Sequence, residues 1–180
     1  MNGEKQLLEA AKNGSHEAFN QLLLLYQDRL YRFLLTRCRI RSDAEDALQE
    51  TFVSAYKYLH SYDDRWQFST WLYRIAIRKA AACYGTTETL EDDPVDDRQD
   101  PLAACIAASD RENLWLTARR VLEGEAYTAL WLRYAEDMPV RDVANVLGRP
   151  LSWTKVSLMR SRNRVGSEIA GQDTAVAGGR

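Results

Sequence analysis

The spacing of small and apolar residues between Ser42 and Tyr84 leaves helix as the main structural option. Ala44, Ala47, Leu48, Thr51, Phe52 and Ala55 recur at intervals of three and four, the period that brings them onto one buried stripe. Ser42 stands three residues ahead of Glu45, a capping-box spacing that satisfies open amides at a helix start. The opposite face carries Asp46, Gln49 and Glu50. A polar, aromatic turn over Ser61 to Gln67 follows, and a second helix is predicted from about Ser69, with Trp71, Leu72, Ile75 and Ala76 on one side and Arg74, Arg78 and Lys79 alongside. An acidic face followed at once by a basic, aromatic one predicts a protein-docking surface next to a nucleic-acid surface.

The rest of the chain extends an all-α pattern, with no strand alternation and no internal repeat. A short helix is predicted over Glu4 to Lys12, stopped by Asn13-Gly14. Ser15 is placed to cap a long helix with Ala18, Phe19, Leu22, Leu23, Tyr26, Leu30, Phe33 and Leu34 on its apolar side; Arg29, Arg32 and Arg37 read as its solvated face. Residues Gly85 to Asp100 lose all periodicity and contain Pro94. From Glu88 onward that stretch holds seven carboxylates against Arg98, a local charge of −6 in a chain of net −2, so the remainder carries +4. Such a segment reads as a flexible acidic linker. Asp100-Pro101 predicts a helix start, with Leu102, Ile106, Leu114, Leu116 and Val121 on a helix reaching about Leu122. Glu123-Gly124 breaks it, and Glu125 to Ala135 forms the next. Residues 1–84 and 101–168 are thus two helical domains on either side of the linker 85–100, and the Ala/Gly-rich stretch 169–180 is expected as a disordered tail.

The second domain carries its own pattern in residues 137–164. Pro139 starts a short helix with Val140, Val143, Ala144 and Leu147 on one face, Gly148 supplies a tight turn, and Ser152 is placed to cap a further helix reaching about Arg164. This is the helix-turn-helix plan, whose second helix enters the major groove. Thr154, Leu158 and Ser161 fall inward on that helix, whereas Lys155, Val156, Met159, Arg160 and Asn163 fall outward with Arg162 and Arg164 flanking. Basic side chains there hold phosphates, and Val156 or Met159 suits a thymine methyl or the surface of a protein.

Several function classes are disfavoured. Cys38, Cys83 and Cys105 are widely separated, and only His16 and His60 accompany them, so neither a zinc site nor any other metal or cofactor is expected. No nucleophile–base arrangement or phosphate-binding glycine loop is present, so no catalytic residue is assigned. The longest apolar run, Leu22 to Leu25, is too short to cross a bilayer; with the odd cysteine count it predicts a reduced, cytoplasmic protein.

Residues 43–52, DAEDALQETF, followed by residues 68–76, FSTWLYRIA, resemble region two of bacterial RNA polymerase sigma factors of the extracytoplasmic-function type, in the sigma-70 family. LRYAEDMPVRDVANVLG followed by a basic helix is similar to region four of the same family. The resemblance implies a promoter-specificity subunit with no enzymatic activity of its own. Its partners would be core RNA polymerase, promoter DNA and, in addition, an anti-sigma factor. It implies that Asp46, Gln49 and Glu50 dock on the polymerase. Trp66, Phe68, Trp71, Arg74, Arg78 and Lys79 would then meet the minus-ten element, and Ser152, Lys155, Val156, Met159, Arg160 and Arg162 the minus-thirty-five element.

By residue type alone, Trp66 and Phe68 in their polar loop serve either loop packing or the stacking of an unpaired base, and Trp71 also suits a core position. The chain departs from the family pattern at Arg78, Ala82 and Gly85, where an Asn, an Asp and an Arg are usual, and at Ser157, where an Arg is usual; Trp153 is bulky for its place. Two other readings accommodate the same residues: a sigma-like protein that acts through protein binding, for instance by occupying an anti-sigma factor, and a helix-turn-helix regulator that works without polymerase.

Overall fold

A computed structural model describes residues 2–38, 40–83 and 110–177, every regular element of which is helical. The chain divides into two compact units with the boundary at Asp97–Arg98. The acidic linker expected at 85–100 and the helix start at Asp100-Pro101 lie outside the described residues.

The first unit contains α1 (Asn2–Lys12), α2 (His16–Leu35), α3 (Arg41–Tyr58), a 3₁₀ turn (Leu59–Ser61) and α4 (Phe68–Cys83). Helix α1 stops at Gly14, whose φ of +92° is the left-handed conformation that glycine adopts without a side-chain clash. Ser15 caps α2 as expected, its hydroxyl accepting from the Ala18 N–H at 3.2 Å. Helix α1 packs on α2, and α2, α3 and α4 pack against one another. The shared core contains Leu22, Leu30, Phe33 and Leu34 of α2, Ala44, Ala47 and Ala55 of α3, and Leu72, Tyr73 and Ala76 of α4. The alanines of α3 bring its backbone close to its neighbours, and Phe33 meets Tyr73 edge-on at 5.1 Å.

Two sequence expectations are corrected here. Ser42 does not cap α3: the helix already includes Arg41, and the preceding Ile40 makes no side-chain cap. Glu45, the other half of the expected capping box, is engaged elsewhere, accepting from Arg41 Nε and from the Tyr31 hydroxyl, each at 3.1 Å. Leu48 and Phe52 are only half-buried, so the deep stripe of α3 is narrower than its sequence pattern suggested.

The second unit contains α5 (Asp110–Val121), α6 (Gly124–Tyr134), α7 (Val140–Leu147) and α8 (Leu151–Ala177). Helix α8 packs against each of the other three, so it is the spine of this unit. Ala129, Leu130, Trp131 and Leu132 of α6 and Val143, Ala144 and Val146 of α7 are buried with Leu158 and Val165 of α8. Trp115, Tyr127 and Trp131 form an aromatic group, the two indoles lying 4.9 Å apart. Residues 169–177, expected as disordered tail, instead prolong α8. Val165 is buried and Glu168 pairs with Arg120 of α5 at 2.6 Å, so tertiary contacts carry the helix past Arg164. Among the described residues no helix is long and apolar enough to cross a membrane, and no group of His, Cys, Asp and Glu is arranged to hold a metal ion.

Candidate nucleic-acid interface

In the first unit, the buried alanine stripe of α3 turns Asp46, Gln49 and Glu50 outward, and all three are exposed. Asp46 and Glu50 are one helical turn apart and Gln49 sits between them, so they make one polar ridge. Glu50 also pairs with Lys79 of α4 at 3.0 Å. The ridge and the basic helix are therefore neighbours, which their order in the sequence did not require.

The turn before α4 is more ordered than its polar composition suggested. The Trp66 N–H donates to the Asp63 carbonyl at 3.2 Å, and the Trp66 carbonyl accepts from the Tyr62 hydroxyl at 2.5 Å. The Asp63 carboxylate accepts from the Arg65 N–H at 3.0 Å and from its guanidinium, which holds Asp63 below the usual carboxylate range and raises Arg65. Burial, with Asp64, Glu4 and Asp63 adding to it, pushes the Tyr62 hydroxyl up to about 12, so it stays protonated and donates. Burial and a 2.8 Å hydrogen bond to Glu4 raise Tyr26 as well.

The structure separates the six residues predicted for the minus-ten surface. Trp66 is partly exposed in the turn. Phe68, expected in the same loop with either packing or base stacking open to it, is the first residue of α4 and only 2% exposed. Tyr26, Tyr62 and Trp71 surround its ring, each at a centroid distance of 5.6 Å, and leave no face for stacking. Its strong apolar character outweighed its polar sequence neighbours. Trp71 is half-buried, between a core and a surface position, with its ring against Tyr62 and Phe68. Arg78 is exposed, whereas Arg74 and Lys79 are partly covered. Sequence reasoning missed Tyr62 and Lys12, whose ammonium sits 5.0 Å from the Tyr62 ring centroid. Lys12 ends a helix and Tyr62 lies in a turn 50 positions later, and no local spacing links the two.

In the second unit, Gly148 ends α7 in the left-handed conformation, φ +64°, and the chain re-enters helix three residues later. Ser152 does not cap α8 as expected: the helix includes Leu151, and Ser152 is an exposed residue of its first turn. The Thr154 N–H and hydroxyl both reach the Pro150 carbonyl, at 3.1 and 3.2 Å. Thr154, Leu158 and Ser161 face inward, as the sequence predicted. Lys155, Val156, Met159, Arg160 and Arg162 are exposed, with Asn163 and Arg164 beside them. Trp153 packs under the Arg149 guanidinium, 5.4 Å away, and Arg149 is held by a bidentate pair with Glu125 of α6. The pair ties the helix-turn-helix turn to α6 and accounts for the bulky residue at position 153.

Comparison with known proteins follows the same division. A model of Sigma-70 region 2 matches residues 22–82. The ECF RNA polymerase sigma-E factor of Haemophilus influenzae is 28% identical over 92% of this chain and 95% of its own length. The ECF RNA polymerase sigma factor SigW of Bacillus subtilis is 26% identical over 92% and 96%. Among solved structures, CnrH in complex with the cytosolic domain of CnrY has a TM-score of 0.68 at 21% identity, covering 94% of this chain and 98% of that one. RpoE of Bartonella quintana, solved with the anti-sigma factor NepR, has a TM-score of 0.64 at 20% identity, covering 84% and 96%. Residues 22–82 thus match sigma-70 region 2, and the chain along its length is similar to RNA polymerase sigma factors of the extracytoplasmic-function type.

Proposed function

We propose that this chain binds core RNA polymerase and directs promoter-specific initiation of transcription in the cytoplasm. The ridge Asp46–Gln49–Glu50 docks on the polymerase, Trp66 and the basic residues of α4 engage the minus-ten element, and the outer face of α8 engages the minus-thirty-five element. The observation that carries this reading is the coupling in one unit of an exposed acidic ridge to a basic helix beside it, with an exposed basic recognition helix in the other unit.

The chemistry follows from the side chains. Carboxylates on a rigid helix suit a basic partner surface and steer its approach. Trp66 offers an aromatic face for stacking on an unpaired base, which is sequence-tolerant because every base has a π-face. Arg78 and the basic residues of α8 neutralise phosphates, while Val156 and Met159 meet base methyl groups. The chain needs no catalytic group for this work, because the polymerase joins the nucleotides.

The experiment is run-off transcription with core polymerase on a genomic library. Discrete promoter-dependent transcripts support the reading, and their absence with a well-folded chain refutes it. A second reading, that an anti-sigma factor holds the chain, is favoured by apolar exposure on α8, where Val156 and Met159 are 42% and 55% exposed. The Bartonella quintana neighbour was solved with such a factor bound. Co-purification of a stoichiometric partner that blocks run-off transcription tests it.

A further inference from the structure

We propose that Tyr62 is a positioning residue: its hydroxyl, by holding the Trp66 carbonyl, presets the Trp66 ring to receive an unpaired base of the promoter strand. This rests on the minus-ten reading above and adds to it a residue that does not itself touch DNA.

Both main-chain polar groups of Trp66 are bound within the turn, the N–H to the Asp63 carbonyl and the carbonyl to the Tyr62 hydroxyl. The Tyr62 anchor is itself closely packed. It is only 8% exposed, its ring meets Phe68 and Trp71 edge-on at 5.6 Å each, and the Lys12 ammonium sits 5.0 Å from its centroid. Helix α1 thereby reaches the turn through Lys12, and α4 reaches it through Phe68 and Trp71. The Asp63–Arg65 contacts close the remaining part of the loop.

A short loop that had to order on binding would subtract its lost freedom from the affinity, whereas a loop already fixed does not. An aromatic stacking platform works only if its ring is presented to the base, so the benefit of the Tyr62 contact passes through Trp66. Phe68, with its ring enclosed, supports the anchor and is not part of the platform.

The test uses Tyr62→Phe, which removes one oxygen and keeps the ring packing, together with Trp66→Ala and the double variant, each assembled with core polymerase. The probe is a single-stranded oligonucleotide from the minus-ten region of a promoter that the wild-type holoenzyme transcribes. Tyr62→Phe is expected to bind this strand about fivefold more weakly, the factor that corresponds to one ordinary hydrogen bond. Its affinity for core polymerase should stay within about twofold of wild type, as expected for a substitution outside that surface. In the Trp66→Ala background the same substitution should add less than about twofold, because residues acting as one unit are not additive.

The proposal is overturned if Tyr62→Phe binds the strand as wild type does, if its effect persists in full without the Trp66 ring, or if polymerase binding falls in parallel. A wild-type holoenzyme that transcribes no promoter removes the minus-ten reading itself. A Trp66→Ala loss without a Tyr62→Phe loss removes only this inference.

Discussion

The ammonium of Lys79 on α4 lies 3.0 Å from the carboxylate of Glu50 on α3, so a residue assigned to DNA and a residue assigned to the polymerase form one ion pair. The Glu50 side chain is 63% exposed, and pairs of this kind contribute at most about 1 kcal/mol to stability. Their separate roles can therefore be tested without unfolding the unit. Lys79→Gln is expected to leave core polymerase binding unchanged. The double variant Asp46→Lys/Glu50→Lys is expected to weaken it by on the order of 2 kcal/mol or more, since like charges would face each other at the contact. Circular dichroism should show unchanged helicity in both, and undiminished polymerase capture by the double variant would count against the docking surface.

The two faces of α8 should respond differently to substitution. Lys155→Ala or Arg160→Ala at a phosphate contact is expected to lower the salt slope of promoter binding by about one; at a base contact it would instead relax preference at a single position. Leu158 is buried, and Leu158→Ala is expected to cost about 2–5 kcal/mol of stability in the second unit. Binding titrations over a range of salt, with thermal melts alongside, separate the two outcomes.

Gly148 takes φ +64° with open space where a Cβ would stand, so the cost of a side chain there is purely one of backbone conformation. Gly148→Ala is expected to destabilise the helix-turn-helix by about 1–2 kcal/mol, and Gly148→Asn by less, because asparagine tolerates this region better. Equal melting temperatures for the two variants would contradict the account.

Alkaline pH should weaken the first unit. Burial raises Tyr62 from its ordinary value of 10 to about 12 and raises Tyr26 as well. A raised value means the folded state keeps a proton that the unfolded chain releases, so the stabilisation is complete below pH 10 and is lost as pH rises from 10 towards 12. Melting temperatures measured from pH 8 upward should fall beyond pH 10, and the fall should be shallower in Tyr62→Phe. A pH-independent melt across that window would show that neither hydroxyl is linked to folding.

The sequence alone determined the helical character of the described elements, the inward triad Thr154, Leu158 and Ser161, and the outward polar ridge of α3. Each depends only on a repeat of 3.6 residues, which local spacing carries in full. Gly148 was equally legible, because a glycine between two periodic segments marks a left-handed stop. Tertiary structure alone decided the places where period gives no information or where a long-range partner competes. Phe68 left the loop for the core because Tyr26, Tyr62 and Trp71 together enclose it. Glu45 turned from its expected cap towards Arg41 and Tyr31, and α8 ran on past Arg164, where Val165 is buried and Glu168 meets Arg120. The turn that presents Trp66 is likewise a tertiary product: its hydrogen bonds are local, but its anchor is fixed by Lys12, 50 positions earlier in the chain. Contacts of that range arise only when packed helices bring distant residues together, and no sequence period encodes them.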